Sequence, residues 1–514
     1  MDKVDVYIDN IFENVRFDND QKEVIKDNSQ NLMVVAGAGC GKTTTISAKV
    51  KYLIDVKKVK AEDILMLSLT NKAVAELKNN INIELGLNVN ICTFHKLAYD
   101  LLKKEKSNLK ILSRQDSVIY KFVKNEKMTN EIIRILKKDR VFYEQQKRSL
   151  DVYSNLSYFV CSIINLARVN NYNINEIILK NENDNKVLEY IKNINKKYIV
   201  FKKESNYLDF EDLIIEASKL NKIYRYKYVF VDEYQDISMN RFSLLSRLIE
   251  LTNAKCVVVG DDYQSIFAFS GAKVDLFLKF KEMMNAKILK IVKTYRNSQN
   301  LINLADNFIN INPGQIKKSL ASDKVLEKPV VVYGYKDNII EVFKKILNNA
   351  SSEGKKRIAV LGRYNSDIRK LESGDFIIKN NKIIYRKNKK LEIDFLTIHA
   401  SKGLGFEEVV LLNFENTNLG FPSRVENISI IDKIFNYDKK SLLEEERRLF
   451  YVALTRTKNR VHIITKMGSE SEFLDAIVDN KAVEIKYKYR KKVHKKSWLR
   501  PTLLTRIKKY HHSS

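Results

Sequence analysis

Asn31-Leu-Met-Val-Val-Ala-Gly-Ala-Gly-Cys-Gly-Lys-Thr-Thr44 is an apolar run that breaks into alternating glycines and ends on Lys-Thr-Thr. An apolar run with no polar alternation reads as a strand covered on both faces, as in a parallel sheet. Gly37, Gly39 and Gly41 free the backbone for a tight turn, and Thr43–Val56 reads as the helix that follows. Backbone N–H groups of such a turn and of the helix start converge on one spot and favour an anion there. Strand, glycine turn and helix around Gly-Lys-Thr form the context of a phosphate-binding loop. The candidate ATP cradle is therefore Ala36, Gly37, Ala38, Gly39, Cys40, Gly41, Lys42, Thr43 and Thr44, with Ala36 where the strict pattern has its first glycine. Lys42 is placed to hold the β and γ phosphates, and Thr43 to ligate Mg²⁺.

Working outward, apolar runs at 63–69, 226–231, 255–259 and 287–292 read as further strands of the same sheet, separated by helical patterns. The expectation is an α/β fold. Val229-Phe-Val-Asp-Glu233 supplies the other half of a nucleotide site, with Asp232 for the metal and Glu233 for the attacking water. Between about 104 and 207 the chain turns helical, rich in Lys, Asn, Leu and Ile, and free of glycine. A second α/β set starts near Thr294, with strand-like runs at 329–333, 357–361, 408–413 and 461–465.

The 514 residues carry 91 Lys and Arg against 63 Asp and Glu, a net charge of +28. That excess favours a polyanionic partner, because neutralised phosphates release counterions. An AT-rich genome would also raise Lys, together with Asn and Ile, and accounts for part of it. Cys40, Cys92, Cys161 and Cys256 form no Cys-x-x-Cys pair, which suits a reducing compartment and gives no metal centre. The sequence shows neither a signal peptide nor an uncharged apolar run of about 18 residues. These features lead us to expect a soluble cytoplasmic protein with no membrane partner.

Continuing the carboxylate strand, Asp232-Glu-Tyr-Gln-Asp236 makes the pattern specific, and the chain here resembles a superfamily 1 helicase of the UvrD/Rep/PcrA type. The resemblance runs to about residue 466, with the family's blocks in their usual order. It implies two RecA-like P-loop NTPase domains with a helical insertion in the first. The implied boundaries are 1–103 and 208–292 for the first domain, 104–207 for the insertion, 293–485 for the second domain and 486–514 for a basic tail. Gln21, in Phe17-Asp-Asn-Asp-Gln21, falls where the family reads adenine. Val259-Gly-Asp-Asp-Tyr-Gln-Ser-Ile266 makes Gln264 the γ-phosphate sensor. Lys293-Thr-Tyr-Arg-Asn-Ser298 puts Tyr295 by the base and makes Arg296 an arginine finger. Glu444-Glu-Glu-Arg-Arg-Leu-Phe-Tyr-Val-Ala-Leu-Thr-Arg456 makes Arg456 the second finger.

Three blocks resemble the family's strand-contacting motifs: Leu69-Thr-Asn-Lys-Ala73, Thr93-Phe-His-Lys96 and Thr397-Ile-His-Ala-Ser-Lys-Gly403. They nominate Thr70, Asn71, Lys72, Thr93, Phe94, His95, Thr397 and His399 for single-stranded DNA. Hydroxyls, amides and lysines hold phosphates without reading sequence, and aromatics stack any base. Phe267 and Phe269 stand where the family has Tyr and Trp, and Phe210 is a further candidate wall of the channel.

Departures from the family pattern are Leu69 for Phe, Ala268 and Ser270 for more polar or basic neighbours, and Gly405 for a Glu that helps hold the nucleotide's sugar. The large insertion usual before the fifth motif is reduced here to about thirty residues between Arg363 and Thr397. The resemblance implies a 3′→5′ motor on single-stranded DNA and at single/double-strand junctions, in repair, recombination or defence. The shortened insertion keeps open a DNA-stimulated ATPase that remodels protein–DNA complexes without unwinding. An RNA helicase is a minor alternative, and the intact hydrolytic set argues against a non-enzymatic clamp. The tail, with Tyr487, Tyr489 and Trp498 among lysines, is a candidate surface for duplex, RNA or a protein partner, the plain alternative being a solvated charge run.

Overall fold

The computed structural model describes residues 3–106, 108–139, 141–143, 151–223, 226–425, 428–437 and 439–489. The chain divides into two compact units: residues up to Val292 with Val425–Leu442, and Lys293–Arg424 with the chain from Leu443 onward.

The strands of the first unit are β1 (Asn31–Ala36), β2 (Ile64–Ser68), β3 (Asn90–Thr93), the two-residue β4 (Lys110–Ile111) and β5 (Tyr207–Leu208), β6 (Tyr228–Val231), β7 (Lys255–Gly260) and β8 (Lys287–Ile291). Six of them form one parallel sheet in the order β3-β2-β6-β7-β1-β8. Its inner strands are apolar runs, charged only at Lys255 where β7 begins, and β6 is buried along its whole length. The edge strand β8 differs in carrying two exposed lysines, Lys287 and Lys290. This is the doubly covered parallel sheet that the apolar runs require.

Among the described residues the α-helices Gln115–Asn125, Thr129–Leu136, Val152–Val169 and Glu182–Glu204 lie between β4 and β5. A short ladder closes the base of this helical insertion, Lys110 opposite Tyr207 and Ile111 opposite Leu208. At its root sits a buried ion cluster. Arg168 and Lys202 each reach Asp209 Oδ2 at 2.7 Å, Tyr198 donates to the same oxygen at 2.8 Å, and both cations also pair with Asp212. Asp209 caps the helix Phe210–Ala217 as well. Burial opposes ionisation of Asp209, but the Arg168 and Lys202 contacts outweigh it and hold the carboxyl well below its usual range. Its contribution to stability is thus present above the unfolded value near pH 4 and is lost as pH falls toward the depressed folded value. Asp209→Ala is expected to cost about 2–4 kcal/mol, because two largely buried cations keep only Asp212 as a partner and the helix Phe210–Ala217 loses its cap. Urea unfolding at neutral pH checks this, and a change under about 1 kcal/mol would make the cluster incidental.

The insertion's core, built on residues such as Ile119, Leu156, Val160 and Ile191, is completed from far along the chain by Ile428, Ile430, Ile434 and Phe435. Position in the sequence puts 425–442 in the second domain; packing puts it in the first unit. Ile430 and Ile434 lie one turn apart on the helix Ser429–Phe435 and present a single apolar stripe. The Ser429 N–H donates to Asp139 Oδ2 at 2.8 Å, and Lys433 pairs with Asp184.

The second unit holds β9 (Val330–Tyr335), β10 (Arg357–Gly362), β11 (Phe376–Lys379), β12 (Lys382–Tyr385), β13 (Glu392–Thr397), β14 (Glu408–Leu411), β15 (Val461–Lys466) and β16 (Val483–Ile485). Their order is β11-β12-β13-β10-β14-β15-β9-β16. All neighbours are parallel except β11–β12 and β12–β13. The connector between Arg363 and Thr397 is thus a short 3₁₀ turn, Asn365–Leu371, and a β-hairpin at the sheet edge. The start of the tail is docked on this unit. The Tyr487 ring lies against Gly334, where a Cβ would come within 2.7 Å of it, and Tyr489 donates to Asp475. The rest of the tail, including Trp498, lies outside the described residues. Among the described residues no helix is long and apolar enough to cross a membrane.

Candidate nucleotide and single-strand sites

In the first unit β1 runs straight into the glycine turn. Gly39 and Gly41 both take φ of +74°, a left-handed conformation that L side chains rarely adopt. At Gly41 a Cβ would also sit 2.9 Å from Gln21 Nε2. The helix Lys42–Asp55 starts there with no side-chain cap, which suits its first N–H groups to an anion. Lys42, Thr43 and Thr44 are half-buried, while Ala36, Ala38 and Cys40 are buried beneath them. Burial pushes the Cys40 thiol up to about 12, so Cys40 acts as packing. Gln21 is buried and tied to the loop: it accepts from the Asp18 N–H at 3.1 Å and donates to the Cys40 carbonyl at 3.2 Å. Lys49 Nζ donates to the carbonyls of Val24 and Asp27 at 2.9 and 2.6 Å, fixing the helix that carries Gln21 to the helix of the loop.

Asp232 and Glu233 follow the end of β6. Burial and the neighbouring Glu233 push the Asp232 carboxyl up to about 7, with Lys42 acting the other way. A buried carboxyl so destabilised, beside a second carboxylate, fits a divalent cation, which Asp232 and the Thr43 hydroxyl would hold together with nucleotide phosphates. No cluster of three or more His, Cys, Asp and Glu able to hold a metal by itself occurs among the described residues. Glu233 has φ of +52°, unusual for a side-chain-bearing residue, and its N–H donates to Asp232 Oδ1 at 2.9 Å.

The sequence did not single out Gln235. It is fully buried, and its Nε2 donates to the Glu233 carboxylate. Its Oε1 accepts the Asp261 N–H at 3.0 Å, and its carbonyl accepts from Ser265 Oγ at 3.0 Å. Gln264 Nε2 in turn donates to Asp261 Oδ2 at 2.6 Å. Gly260 makes this possible, since a Cβ there would lie 2.3 Å from Gln235 Oε1. The same segment continues into the turn Ala268–Ser270, where the Phe267 and Phe269 rings sit 5.9 Å apart and Phe269 is 65% exposed.

Thr70 caps the helix Asn71–Lys78 by accepting from the Ala73 N–H at 3.2 Å, and Asn71 and Lys72 are exposed on its first turn. Thr93 caps the helix Phe94–Glu105 in the same way through Lys96. Phe94 is a correction: it is 1% exposed and cannot offer its ring to a base. Phe94, Leu97, Ala98, Leu101 and Leu102 form the buried stripe of that helix, a spacing already visible in the sequence. His95 is half-buried, edge-on to Phe210 at 6.0 Å, and Phe210 is 50% exposed. His95 Nε2 lies 3.9 Å from Glu211, which Asn240 also holds.

In the second unit, Tyr295 is exposed with Lys293 Nζ 5.9 Å from its ring. The Arg296 guanidinium donates to the Thr455 carbonyl at 3.4 Å. Gly405 lies against it, and a Cβ there would be 3.2 Å from Arg296 Nε. Asn297 donates to the Thr457 carbonyl at 2.7 Å, so the loops bearing Arg296 and Arg456 are bound together. Arg456 is 1% exposed, with hydrogen bonds to the Val452 and Leu404 carbonyls at 3.0 and 3.2 Å. Thr397 accepts from the Ala400 N–H at 3.2 Å. Burial, Arg363 and Lys402 lower the His399 pKa to about 4, which makes it a neutral hydrogen-bonding group.

A family profile described as UvrD/REP helicase N-terminal domain matches residues 17–285, and one described as UvrD-like helicase C-terminal domain matches residues 375–468. Among curated proteins, the chain is similar to DNA helicase IV of Escherichia coli, 28% identical over 493 residues, covering 89% of this chain and 69% of that protein. A probable DNA helicase of Mycoplasma pneumoniae is 29% identical over 471 residues, 85% of this chain and 81% of that protein. The ATP-dependent DNA helicase PcrA of Staphylococcus epidermidis is 26% identical over 457 residues, 82% of this chain and 60% of that protein.

Proposed function

Because the chain belongs to the UvrD/REP helicase family, we propose that it is an ATP-dependent DNA helicase whose motor runs 3′→5′ on single-stranded DNA. The observation that carries this reading is the hydrogen-bonded path Glu233–Gln235–Asp261–Gln264, whose last stretch of chain continues into the ring pair of half-buried Phe267 and exposed Phe269. Nucleotide chemistry and a base-stacking platform share that stretch of chain, so either can bias the other.

In the proposed mechanism the loop amides and Lys42 bind the ATP phosphates, while Gln21 recognises adenine and Tyr295 flanks it. Thr43 and Asp232 would hold Mg²⁺, which would supply charge neutralisation for the phosphates. Glu233 takes the proton of the attacking water, and Gln264 senses the γ-phosphate. Arg296 and Arg456, bound into one structure by Asn297, stabilise charge on the transferring phosphoryl group. The strand is held by Thr70, Asn71, Lys72, Thr93, His95, Thr397 and His399 through its phosphates, and by Phe210, Phe267 and Phe269 through its bases. We assign residues 104–207 to a helical insertion that rides on the first domain, completed by the segment around Ser429–Phe435.

If Phe269 stacks a base, Phe269→Ala weakens oligo(dT) affinity by about 1–3 kcal/mol. Fluorescence anisotropy reads this directly, and an unchanged affinity would remove Phe269 from the strand path. Direction is tested by strand displacement from 3′- and 5′-tailed duplexes, where the 3′ tail is expected to be the productive one. The reduced connector 363–397 favours a second reading, a strand-stimulated ATPase that strips proteins from DNA without unwinding; hydrolysis without displacement on either tail would select it.

A further inference from the structure

The hairpin at the edge of the second sheet carries a charge pattern that neither ATP nor single-strand binding uses. From Phe376 to Lys390 it contains Lys379, Lys382, Arg386, Lys387, Lys389 and Lys390 and no acidic residue, in a chain averaging 91 basic residues in 514. All of these cations are exposed, and none closes an ion pair with another described residue. Asp375, where the hairpin begins, is taken by Lys344 at 3.0 Å. Asp394 stands in register with Lys382 on β13 but forms no ion pair with it.

The pairing sorts the side chains onto two faces. Phe376 opposes Tyr385 and Ile378 opposes Ile383 on the inner face, and Phe376 and Tyr385 are only 4% and 2% exposed. Ile377 opposes Ile384 and Lys379 opposes Lys382 on the outer face. Asn380 and Asn381, with φ of +50° and +61°, make the two-residue tip that a tight hairpin requires. Lysines therefore flank the tip while Arg386 and Lys387 stand at the other end of β12.

We propose that this hairpin is a contact surface for the phosphate backbone of double-stranded DNA. Cations held apart on a rigid strand pair match a polyanion whose charges are fixed in space. A single-strand surface would offer rings for stacking, and the hairpin's two aromatic residues, Phe376 and Tyr385, are both buried. A protein-docking surface would offer a contiguous apolar patch, and here only the Ile377–Ile384 pair, 40% and 39% exposed, breaks the charge. The proposal adds a duplex contact to the motor proposed above, and it places that contact in the connector that replaces a larger insertion.

The test uses the full chain with two neutralised pairs, Lys379→Gln/Lys382→Gln and Arg386→Gln/Lys387→Gln. Anisotropy on a blunt duplex and on oligo(dT) is measured across a salt series, with thermal melts confirming that each variant folds. Duplex affinity is expected to fall and its log–log salt slope to flatten by about 2 per pair, while oligo(dT) affinity and oligo(dT)-stimulated ATP hydrolysis stay unchanged. An unchanged duplex slope in both pairs overturns the proposal. So does an equal loss on oligo(dT), and so does capture of an acidic protein partner with duplex binding intact. Absent strand-stimulated hydrolysis in the unmodified chain would instead strike the motor reading, which the anisotropy measurement does not depend on.

Discussion

Arg296→Ala is expected to slow strand-stimulated ATP hydrolysis by about 10³–10⁵-fold while leaving nucleotide binding nearly intact. The size follows from when the charge is needed. Negative charge grows on the γ-phosphoryl group at the transition state, and a guanidinium aimed there does little for ground-state binding. Arg296 is placed for the task beside the loop of the second arginine, its guanidinium donating to the Thr455 carbonyl at 3.4 Å, with Gly405 presenting no side chain against it. Asn297 fastens its loop to the Thr455–Thr457 turn beside Arg456, so the side chain moves as part of a rigid edge. Arg296→Lys keeps the charge but loses the planar fork, and should recover only a fraction of the rate. Steady-state turnover and fluorescent-nucleotide titration together check this. A loss confined to nucleotide affinity would contradict a finger role.

Glu233→Gln is expected to reduce the same turnover by about 10²–10⁴-fold, the range for loss of a positioned general base. The substitution is informative because the surroundings of Glu233 survive it. Its backbone is fixed by the N–H bond to Asp232, and Gln235 Nε2 still finds an amide oxygen to donate to. Orientation is kept and basicity is lost, so single-strand affinity should be unchanged. Turnover within about tenfold of the unmodified chain would assign the base elsewhere.

Much of this architecture is legible in the sequence because parallel strands advertise themselves. A stretch such as Tyr228–Val231, buried on both faces, has no polar alternation to confuse it with a loop. The phosphate loop is legible for a different reason: φ of +74° at Gly39 and Gly41 leaves glycine as the residue of choice. The edge hairpin was read only as a connector, since strands of four residues around an Asn-Asn tip give too short a pattern to stand out. Ile430, Ile434 and Phe435 were read with the second domain because their partners lie more than two hundred residues away, beyond any local period. Gln235 looked like part of a motif; two of its three contacts, to Asp261 and Ser265, come from residues brought to it only by the sheet. Phe94 was the reverse case, where the motif suggested a strand contact and the helical stripe from Phe94 to Leu102 already argued for burial.

ATP hydrolysis by the purified chain, with and without oligo(dT) and with Glu233→Gln as the blank, tests the central claim most directly. The motor reading requires hydrolysis that rises strongly on adding the single strand and disappears in the blank. Hydrolysis that is absent under both conditions, or that persists equally in Glu233→Gln, would contradict it.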